Sequence, residues 1–190
     1  MRSVAETADQ RAVALLRRRE PGGFDLAYAT YAARLHAFVL RLSGRREVAD
    51  DVLQHTFLRL AERGPELRAD SDLRAWLFTV ARNAYIGQLR SSVAYESDDA
   101  LESLTAPSQD VEARLLLGDV EEALAHLRPQ DRELLLLVSV AEMEPLQVAA
   151  LIDVEPAAVR QRLARARSRL LKELERLPSE GVKMKKAADE

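Results

Sequence analysis

The sequence contains no cysteine among its 190 residues. This absence excludes a disulfide framework, a thiolate zinc site and a cysteine nucleophile. The longest apolar run, Leu134–Val138, is far shorter than the roughly 20 residues that a membrane-spanning helix needs. Charged side chains interrupt residues 1–21 throughout, so this segment is not predicted to be a signal peptide. We therefore expect a cytoplasmic protein without membrane insertion.

Glycine and proline are also scarce, with seven of each, and runs of alternating β-branched residues are missing. Hydrophobic residues make up 47% of the chain, enough to bury a core, and they recur with helical spacing. The pattern predicts an all-α protein whose helices span residues 25–42, 47–62, 72–90, 111–126, 129–140, 145–152 and 156–177. Between the third and fourth helices, residues 91–110 are rich in serine and lack periodicity, which predicts a flexible linker between two helical domains.

The net charge of -3 conceals two segments of opposite sign. Residues 96–122 contain nine acidic residues and one arginine, a net of -8, whereas residues 156–177 contain seven basic and two acidic residues, a net of +5. The chain therefore combines a basic helix with an acidic connector. Overall neutrality does not argue against nucleic-acid binding when the positive charge is concentrated on one helix.

The basic helix has two distinct sides at 100° per residue. Val159, Leu163, Ala166 and Leu170 fall on the side predicted to be buried. The opposite side and its shoulders carry short, amide and arginine side chains, namely Arg160, Gln161, Arg162, Ala164, Arg165 and Ser168. Such a face suits a DNA major groove, because short and hydrogen-bonding side chains reach base edges while arginines neutralise phosphates. An ordinary solvated helix rich in arginine is the alternative.

The preceding short helix and a turn of a few residues complete the outline of a helix-turn-helix motif. Asp153 stands in this turn where a glycine is common, and we expect it to adopt a backbone conformation that is costly for most residues. Glu155 precedes Pro156 and is a poor helix cap compared with Ser or Asp.

Two rows of side chains stand out in the first block. One lies on the helix 47–62 and contains Asp51, Gln54 and Leu58, a combination that fits either a protein docking strip or scattered surface residues. The other lies on the helix 72–90, opposite a predicted core side formed by Leu73, Trp76, Leu77, Val80 and Ala84. It contains Thr79, Arg82, Asn83, Ile86 and Arg90. Arginine and amide groups beside an apolar side chain suit single-stranded nucleic acid.

Nothing in the sequence predicts an enzyme. The three histidines, His36, His55 and His126, are far apart and lack a metal-ligand spacing. A glycine-rich phosphate loop is also missing. We therefore predict no catalytic residue, no metal and no cofactor.

Four segments resemble a known family. Residues 49–60 (ADDVLQHTFLRL) and 73–83 (LRAWLFTVARN) resemble region two of the sigma-70 family of sigma factors, and the similarity is greatest to the extracytoplasmic-function class. Residues 123–133 and 159–167 resemble region four of the same family. Because both motifs occur in the family's order with a linker between them, the chain is identified as a candidate member of this class.

The resemblance implies an organisation and a function. Residues 25–90 would form the helical bundle of region two, residues 91–110 a flexible acidic linker and residues 111–177 the helix-turn-helix of region four, with an N-terminal extension (1–24) and a C-terminal tail (178–190). The implied function is transcription initiation at promoters with minus-ten and minus-thirty-five elements. The implied partners are core RNA polymerase, through its β′ clamp and β flap, promoter DNA and an anti-sigma factor.

The resemblance also assigns roles to the rows found above. The strip containing Asp51, Gln54 and Leu58 would dock the polymerase clamp helices. The row from Thr79 to Arg90 would face the minus-ten element, and the loop 63–71 would capture a base. The exposed face of the basic helix would enter the major groove of the minus-thirty-five element.

The chain departs from the family pattern at a few positions. Gly87 replaces a frequent aspartate, Gln147 opens a Gln-Val-Ala segment in place of Glu-Ile-Ala, and Asp153 replaces the turn glycine.

The linker carries Glu96, Asp98, Asp99 and Glu102, which we expect to follow a basic polymerase channel. Two alternatives are a helix-turn-helix regulator that acts without polymerase and a sigma-like adaptor that binds another regulator.

Overall fold

A computed structural model of the chain describes residues 2–92 and 111–177. The described part contains helices and no strand, which confirms the predicted all-α class. Its α-helices are α1 (Arg2–Arg17), α2 (Pro21–Ser43), α3 (Arg46–Arg63), α4 (Leu73–Ser92), α5 (Val111–His126), α6 (Pro129–Ser139), α7 (Pro145–Ile152) and α8 (Pro156–Arg176). A single 3₁₀ turn, Gly64–Glu66, follows α3. The acidic linker residues from Glu96 to Glu102 lie outside the described residues.

The first four helices form one bundle. Its centre contains Leu35 and Phe38 of α2, Leu60 of α3 and Phe78 of α4, all fully buried. The rings of Phe38 and Phe78 meet edge to face with centroids 5.2 Å apart, a favourable arrangement for an aromatic pair. This core fixes the positions of α3 and α4, which carry the two rows of candidate functional residues.

Most of the extension preceding residue 25 belongs to helix α1, which packs on this bundle. Helix α1 buries Ala12, Val13 and Leu16, and α2 begins at Pro21 rather than at residue 25. Gly23 permits the close approach of the two helices, because a Cβ atom there would lie 2.6 Å from the Leu16 nitrogen. The short apolar stripe of α1, interrupted by charges, is too weak a signal to show from sequence that it belongs to the core.

A polar contact also joins α1 to α2. The Tyr31 hydroxyl donates a hydrogen bond to the carboxylate of Asp9. Burial raises the pKa of Asp9, and burial together with this hydrogen bond raises the pKa of Tyr31. The contact is therefore partly desolvated, and it fixes the register of α1 on the bundle.

The buried side of α4 differs from the predicted one. Leu73 and Leu77 are buried as expected, but Phe78 and Ala81 complete the core side. The predicted core residues Trp76, Val80 and Ala84 are only half buried, and they line a groove beside α3. The prediction used a single stripe, whereas α4 packs against both α2 and α3, so its apolar surface is wider than one stripe.

The last four helices form the second unit. Its core contains Leu134–Leu137 of α6, Val148 of α7, and Val159, Leu163 and Ala166 of α8. Helices α7 and α8 both pack on α6 and on each other, as in a helix-turn-helix motif. No helix in residues 2–92 or 111–177 is long and apolar enough to cross a bilayer.

The turn between α7 and α8 has the conformation expected from its sequence. Asp153 is left-handed, with φ 54° and ψ 57°, and its N–H donates to the Ala149 carbonyl. Glu155 makes no side-chain capping hydrogen bond to α8. At the start of α7, by contrast, Glu144 and Gln147 form a reciprocal capping box. The Gln147 departure therefore preserves a helix cap.

Asp153→Gly is expected to raise the free energy of unfolding by about 0.5–1 kcal/mol. The left-handed conformation costs an L residue roughly 1–2 kcal/mol and costs glycine almost nothing, while the greater freedom of glycine in the unfolded chain removes part of the gain. Urea denaturation monitored by circular dichroism measures the change. Asp153→Ala is the control and should lower stability, and a stabilising alanine would contradict the strain assigned to this turn.

Candidate nucleic-acid and protein interfaces

The predicted DNA face of α8 is open to solvent. Its six residues, Arg160, Gln161, Arg162, Ala164, Arg165 and Ser168, are all exposed. The opposite side of the helix is buried at Val159, Leu163 and Ala166, whereas Leu170, also predicted to be buried, is half buried. The helix thus presents a basic, hydrogen-bonding face on a support formed by the core of the second unit. This arrangement can place side chains against base edges and phosphates in a groove.

An ion pair holds α8 on this support. The Arg169 guanidinium binds the carboxylate of Asp131 on α6, and Asp131 is 9% exposed. Arg169 therefore serves the packing of α8, whereas Arg165 and Arg167 remain exposed. The helical wheel alone places Arg169 on a shoulder of the DNA face, and only the packing of α6 shows its structural role.

The predicted docking strip on α3 is also exposed. Asp51, Gln54 and Leu58 lie on the solvent side of the helix, and Leu58 is 57% exposed. Beside the strip, the ring of Tyr28 on α2 packs 4.8 Å from that of Phe57, the residue that precedes Leu58. Tyr28 is itself 49% exposed. Sequence reasoning missed Tyr28 because the residue belongs to another helix.

The predicted row on α4 is divided between two environments. Asn83 and Arg90 are exposed, whereas Thr79 and Ile86 are half buried and the Thr79 hydroxyl donates to the Ala75 carbonyl. Arg82 points toward the second unit, where its Nε atom lies 2.5 Å from a carboxylate oxygen of Glu133. The five side chains therefore do not form one free surface in this arrangement.

Asn83 lies in the groove between α3 and α4. The groove has a volume of about 430 Å³, and its lining includes the aromatic ring of Trp76. Its α3 side carries His55, Arg59 and Arg63. An aromatic ring, an amide and cationic groups can together accommodate an unstacked base and its phosphate. The half-buried position of Trp76 makes it part of this surface, contrary to the expected core position.

The loop after α3 is compact. Within this loop the side chain of Leu67 is buried, and the Ser71 hydroxyl accepts a hydrogen bond of 2.9 Å from the Arg68 N–H. Arg68 also binds the carboxylate of Asp70 through two nitrogens at 3.1 Å. Arg68 and Asp70 remain exposed, so the loop presents polar side chains on a fixed backbone.

Comparison with known families agrees with this division into two units. The family described as "Sigma-70 region 2" matches residues 27–94, and the family described as "Sigma-70, region 4" matches residues 117–170. The first match contains α3 and α4 and the second contains α6, α7 and most of α8. The three candidate surfaces, on α3, α4 and α8, therefore lie within the matched segments.

Named relatives align over about three quarters of the chain. The chain is 33% identical over 138 residues to the ECF RNA polymerase sigma factor EcfG of Rhodopseudomonas palustris, an alignment that covers 72% of this chain and 76% of the relative. It is 34% identical over 145 residues to the ECF RNA polymerase sigma factor SigL of Mycobacterium tuberculosis, with 72% and 80% covered. It is 30% identical over 153 residues to the ECF RNA polymerase sigma factor SigM of Bacillus subtilis, with 77% and 91% covered.

Solved structures show the same fold. The sigma factor RpoE from Bartonella quintana, in complex with the anti-sigma factor NepR, is similar with a TM-score of 0.69 and 26% identity, and 80% of this chain and 96% of that chain are covered. CnrH, in complex with the cytosolic domain of CnrY, is similar in fold with a TM-score of 0.67 and 24% identity, and 90% and 99% are covered.

Proposed function

This chain belongs to the extracytoplasmic-function class of the sigma-70 family, and we propose that it directs core RNA polymerase to promoters through the surfaces described above. As a member of the family it is a transcription initiation factor, whose role is binding rather than catalysis. The observation that carries the proposal is that the row Asp51, Gln54 and Leu58 on α3 and the basic face of α8 are both exposed, within two family segments in the family's order. Residues 25–90 form region two, joined by residues 91–110 to region four at 111–177.

Polymerase binding is assigned to the strip on α3. Asp51, Gln54 and Leu58 contact the β′ clamp helices, and region four binds the β flap. A protein interface with an apolar centre and a polar rim matches the exposed leucine flanked by a carboxylate and an amide. Exposure of all three side chains supports this role, because none is needed for the core of the bundle.

Minus-ten recognition is assigned to α4. Asn83 reads a base in the groove beside α3, and Arg90 neutralises backbone phosphate. Thr79, Arg82 and Ile86 complete the surface. Arg82 contributes only after it leaves Glu133, so full engagement of this element requires the second unit to move away from α4.

Minus-thirty-five recognition is assigned to α8. Gln161, Ala164, Arg165 and Ser168 face the base edges, and Arg160 and Arg162 contact the phosphate backbones. This division follows from the helical positions, since the residues opposite the buried stripe enter the groove most deeply. The exposed, basic surface of α8 supports it.

Control by an anti-sigma factor is part of the proposal. The solved RpoE chain, which has this fold and is 26% identical to this chain, is in complex with the anti-sigma factor NepR. We assign the same kind of partner to this chain. Its site of action is the cytoplasm, where the polymerase and the promoter DNA are found.

Run-off transcription tests the proposed function. Purified core RNA polymerase and genomic fragments are incubated with the full chain, and RNA 5′ ends are mapped. We expect discrete start sites that require the chain and share two sequence elements upstream. An absence of start sites, together with binding of the chain to other regulators, would instead support the sigma-like adaptor.

A further inference from the structure

Four arginines of region two meet the acidic side chains of region four. Helix α2 packs against α5 and α6, so the two units touch along one side of the bundle. The arginines are Arg34 and Arg41 of α2 and Arg74 and Arg82 of α4. Together we call them the arginine face.

Three glutamates cover the arginine face. Glu121 of α5 lies 2.9 Å from Arg41, and Glu133 of α6 lies 2.5 Å from Arg82. Glu142, in the turn after α6, bridges two arginines, with its carboxylate oxygens 3.0 Å from Arg34 and 3.1 Å from Arg74. Each glutamate thus neutralises charge on the face, and three carboxylates meet four guanidinium groups.

The two inner ion pairs are largely removed from water. The side chains of Arg41 and Glu121 are 23% and 14% exposed, and those of Arg82 and Glu133 are 14% and 20% exposed. A charge buried without its partner is strongly unfavourable. Neutralising the glutamates therefore favours separation of the units, because separation returns the arginines to water.

Backbone carbonyls complete the contact. Arg34 donates a hydrogen bond of 2.6 Å to the Val140 carbonyl. In the reverse direction Arg132 of α6 donates to the Leu42 carbonyl of α2 at 3.3 Å while also binding the Leu124 carbonyl of α5 at 2.8 Å. Burial lowers the pKa of Arg132. The interface is therefore polar, as expected for two units that associate reversibly.

The chemistry of the arginine face fits phosphate as well as carboxylate. A guanidinium group presents a planar fork of donors that matches both anions. Arg34 and Arg41 are seven residues apart on α2, which places them on one side of the helix and about 10 Å apart along its axis. Phosphates of one DNA strand follow each other at about 3.4 Å along the axis, so this span corresponds to roughly three nucleotides.

The position of the face favours nucleic acid over an acidic protein. Arg82 belongs to the face and precedes Asn83, which the proposed function assigns to the minus-ten element. Because Arg82 belongs both to the arginine face and to the row assigned to the minus-ten element, the face adjoins that row. Because α8 supplies a second cationic surface in region four, one DNA molecule can contact both units once they separate.

We propose that the arginine face, Arg34, Arg41, Arg74 and Arg82, binds the phosphate backbone of promoter DNA, and that Glu121, Glu133 and Glu142 occupy the same site when the units are closed. Closure and DNA binding by this face are then mutually exclusive. The inference rests on the proposed function for the identity of the DNA, and its test requires no polymerase.

The test compares DNA binding by two full-length variants that lose the same number of negative charges. The opened variant combines Glu121→Gln, Glu133→Gln and Glu142→Gln. The control variant combines Glu20→Gln, Asp25→Asn and Glu47→Gln, which are exposed side chains outside the interface. Fluorescence anisotropy with a labelled duplex of mixed sequence gives the dissociation constant over a range of potassium chloride concentrations.

We expect the opened variant to bind this duplex at least about tenfold more tightly than the control variant. In a plot of the logarithm of its association constant against the logarithm of the salt concentration, the slope should be steeper by about 0.9 for each additional phosphate that the arginine face neutralises. Adding Arg34→Gln and Arg41→Gln to the opened variant should make the plot shallower by about 1.8, because two phosphates then lose their cationic partners. Arg17→Gln and Arg18→Gln, which change two exposed arginines of the α1 end, should leave the slope nearly unchanged.

Fluorescence energy transfer between dyes on the two units measures directly whether the units are closed. The chain has no native cysteine, so Ala29→Cys on α2 and Ala150→Cys on α7 can carry a donor and an acceptor dye. Saturating DNA should lower the transfer efficiency, because DNA and the glutamates compete for one site. The same experiment detects whether the opened variant separates without DNA.

Three results would overturn the proposal. One is an opened variant that separates but binds DNA no better than the control variant. Another is tighter binding that survives Arg34→Gln and Arg41→Gln, which would assign it to α8 alone. The third is displacement of the glutamates by a polyglutamate peptide but not by DNA, which would make the face a site for an acidic protein. Normal run-off transcription alongside any of them would leave the proposed function intact.

Discussion

Leu58→Asp should weaken binding of the chain to core RNA polymerase by about 2–4 kcal/mol, roughly 30- to 1,000-fold, without unfolding the protein. The leucine is 57% exposed on α3, so its replacement removes little from the core. In the proposed complex the side chain would form the apolar centre of the strip that also contains Asp51 and Gln54, beside the Tyr28 ring that packs on Phe57. A carboxylate there must lose its water without gaining a partner, which is costly.

The measurement is a titration of labelled chain with core polymerase, followed by run-off transcription. Ala14→Asp is the control, since Ala14 is exposed on α1, outside the docking strip and outside region four. We expect the control to bind polymerase like the unmodified chain. Equal losses in the two variants would show that any added carboxylate weakens the complex, and the docking role of α3 would then be rejected. Circular dichroism of both variants should show unchanged helix content.

Arg165→Ala should reduce the difference in binding free energy between the mapped promoter and promoters mutated in the minus-thirty-five element by about 1–3 kcal/mol. The residue is exposed on α8, opposite the buried stripe of Val159, Leu163 and Ala166. From that position its guanidinium group can reach a guanine edge through two hydrogen bonds, an interaction that other bases do not reproduce. Loss of the side chain should therefore relax sequence preference rather than abolish binding.

The measurement compares holoenzyme affinity for the mapped promoter with that for a set of promoters mutated across the upstream element. Arg167→Ala, an exposed residue of the same helix on its flank, is the control and should weaken all promoters equally, as expected for a phosphate contact. Arg165→Lys keeps the charge but loses the planar fork, so it should behave like Arg165→Ala in discrimination. Uniform weakening by Arg165→Ala would assign this side chain to phosphate instead.

The local parts of these surfaces could be predicted from the sequence because each lies on one helix. The period of 3.6 residues separates Val159, Leu163 and Ala166 from Arg165, whatever α8 packs against. The same holds for the strip of Asp51, Gln54 and Leu58 on α3. The left-handed Asp153 is equally local, because a turn of this length permits few backbone conformations.

The prediction for α4 was less accurate because two neighbours compete for its surface. A helix packed on one partner buries one stripe, but α4 packs on α2 and α3 together. Phe78 and Ala81 are therefore part of the core, whereas Trp76 lies at the edge of a groove. The packing of α1 was also missed. Its few apolar residues are part of the core only because α1 approaches α2 closely at Gly23, and this contact cannot be read from α1 alone.

The sequence by itself determined seven of the eight α-helices of the described residues, the exposed faces of α3 and α8 and the family, because these depend on residue periodicity and on motifs along the chain. Only the tertiary structure decided which charges meet. Arg41 and Glu121 are 80 positions apart, and Arg82 and Glu133 are 51 positions apart. Such pairs form because helix packing brings distant side chains together and removes water from them, and no local pattern encodes that contact.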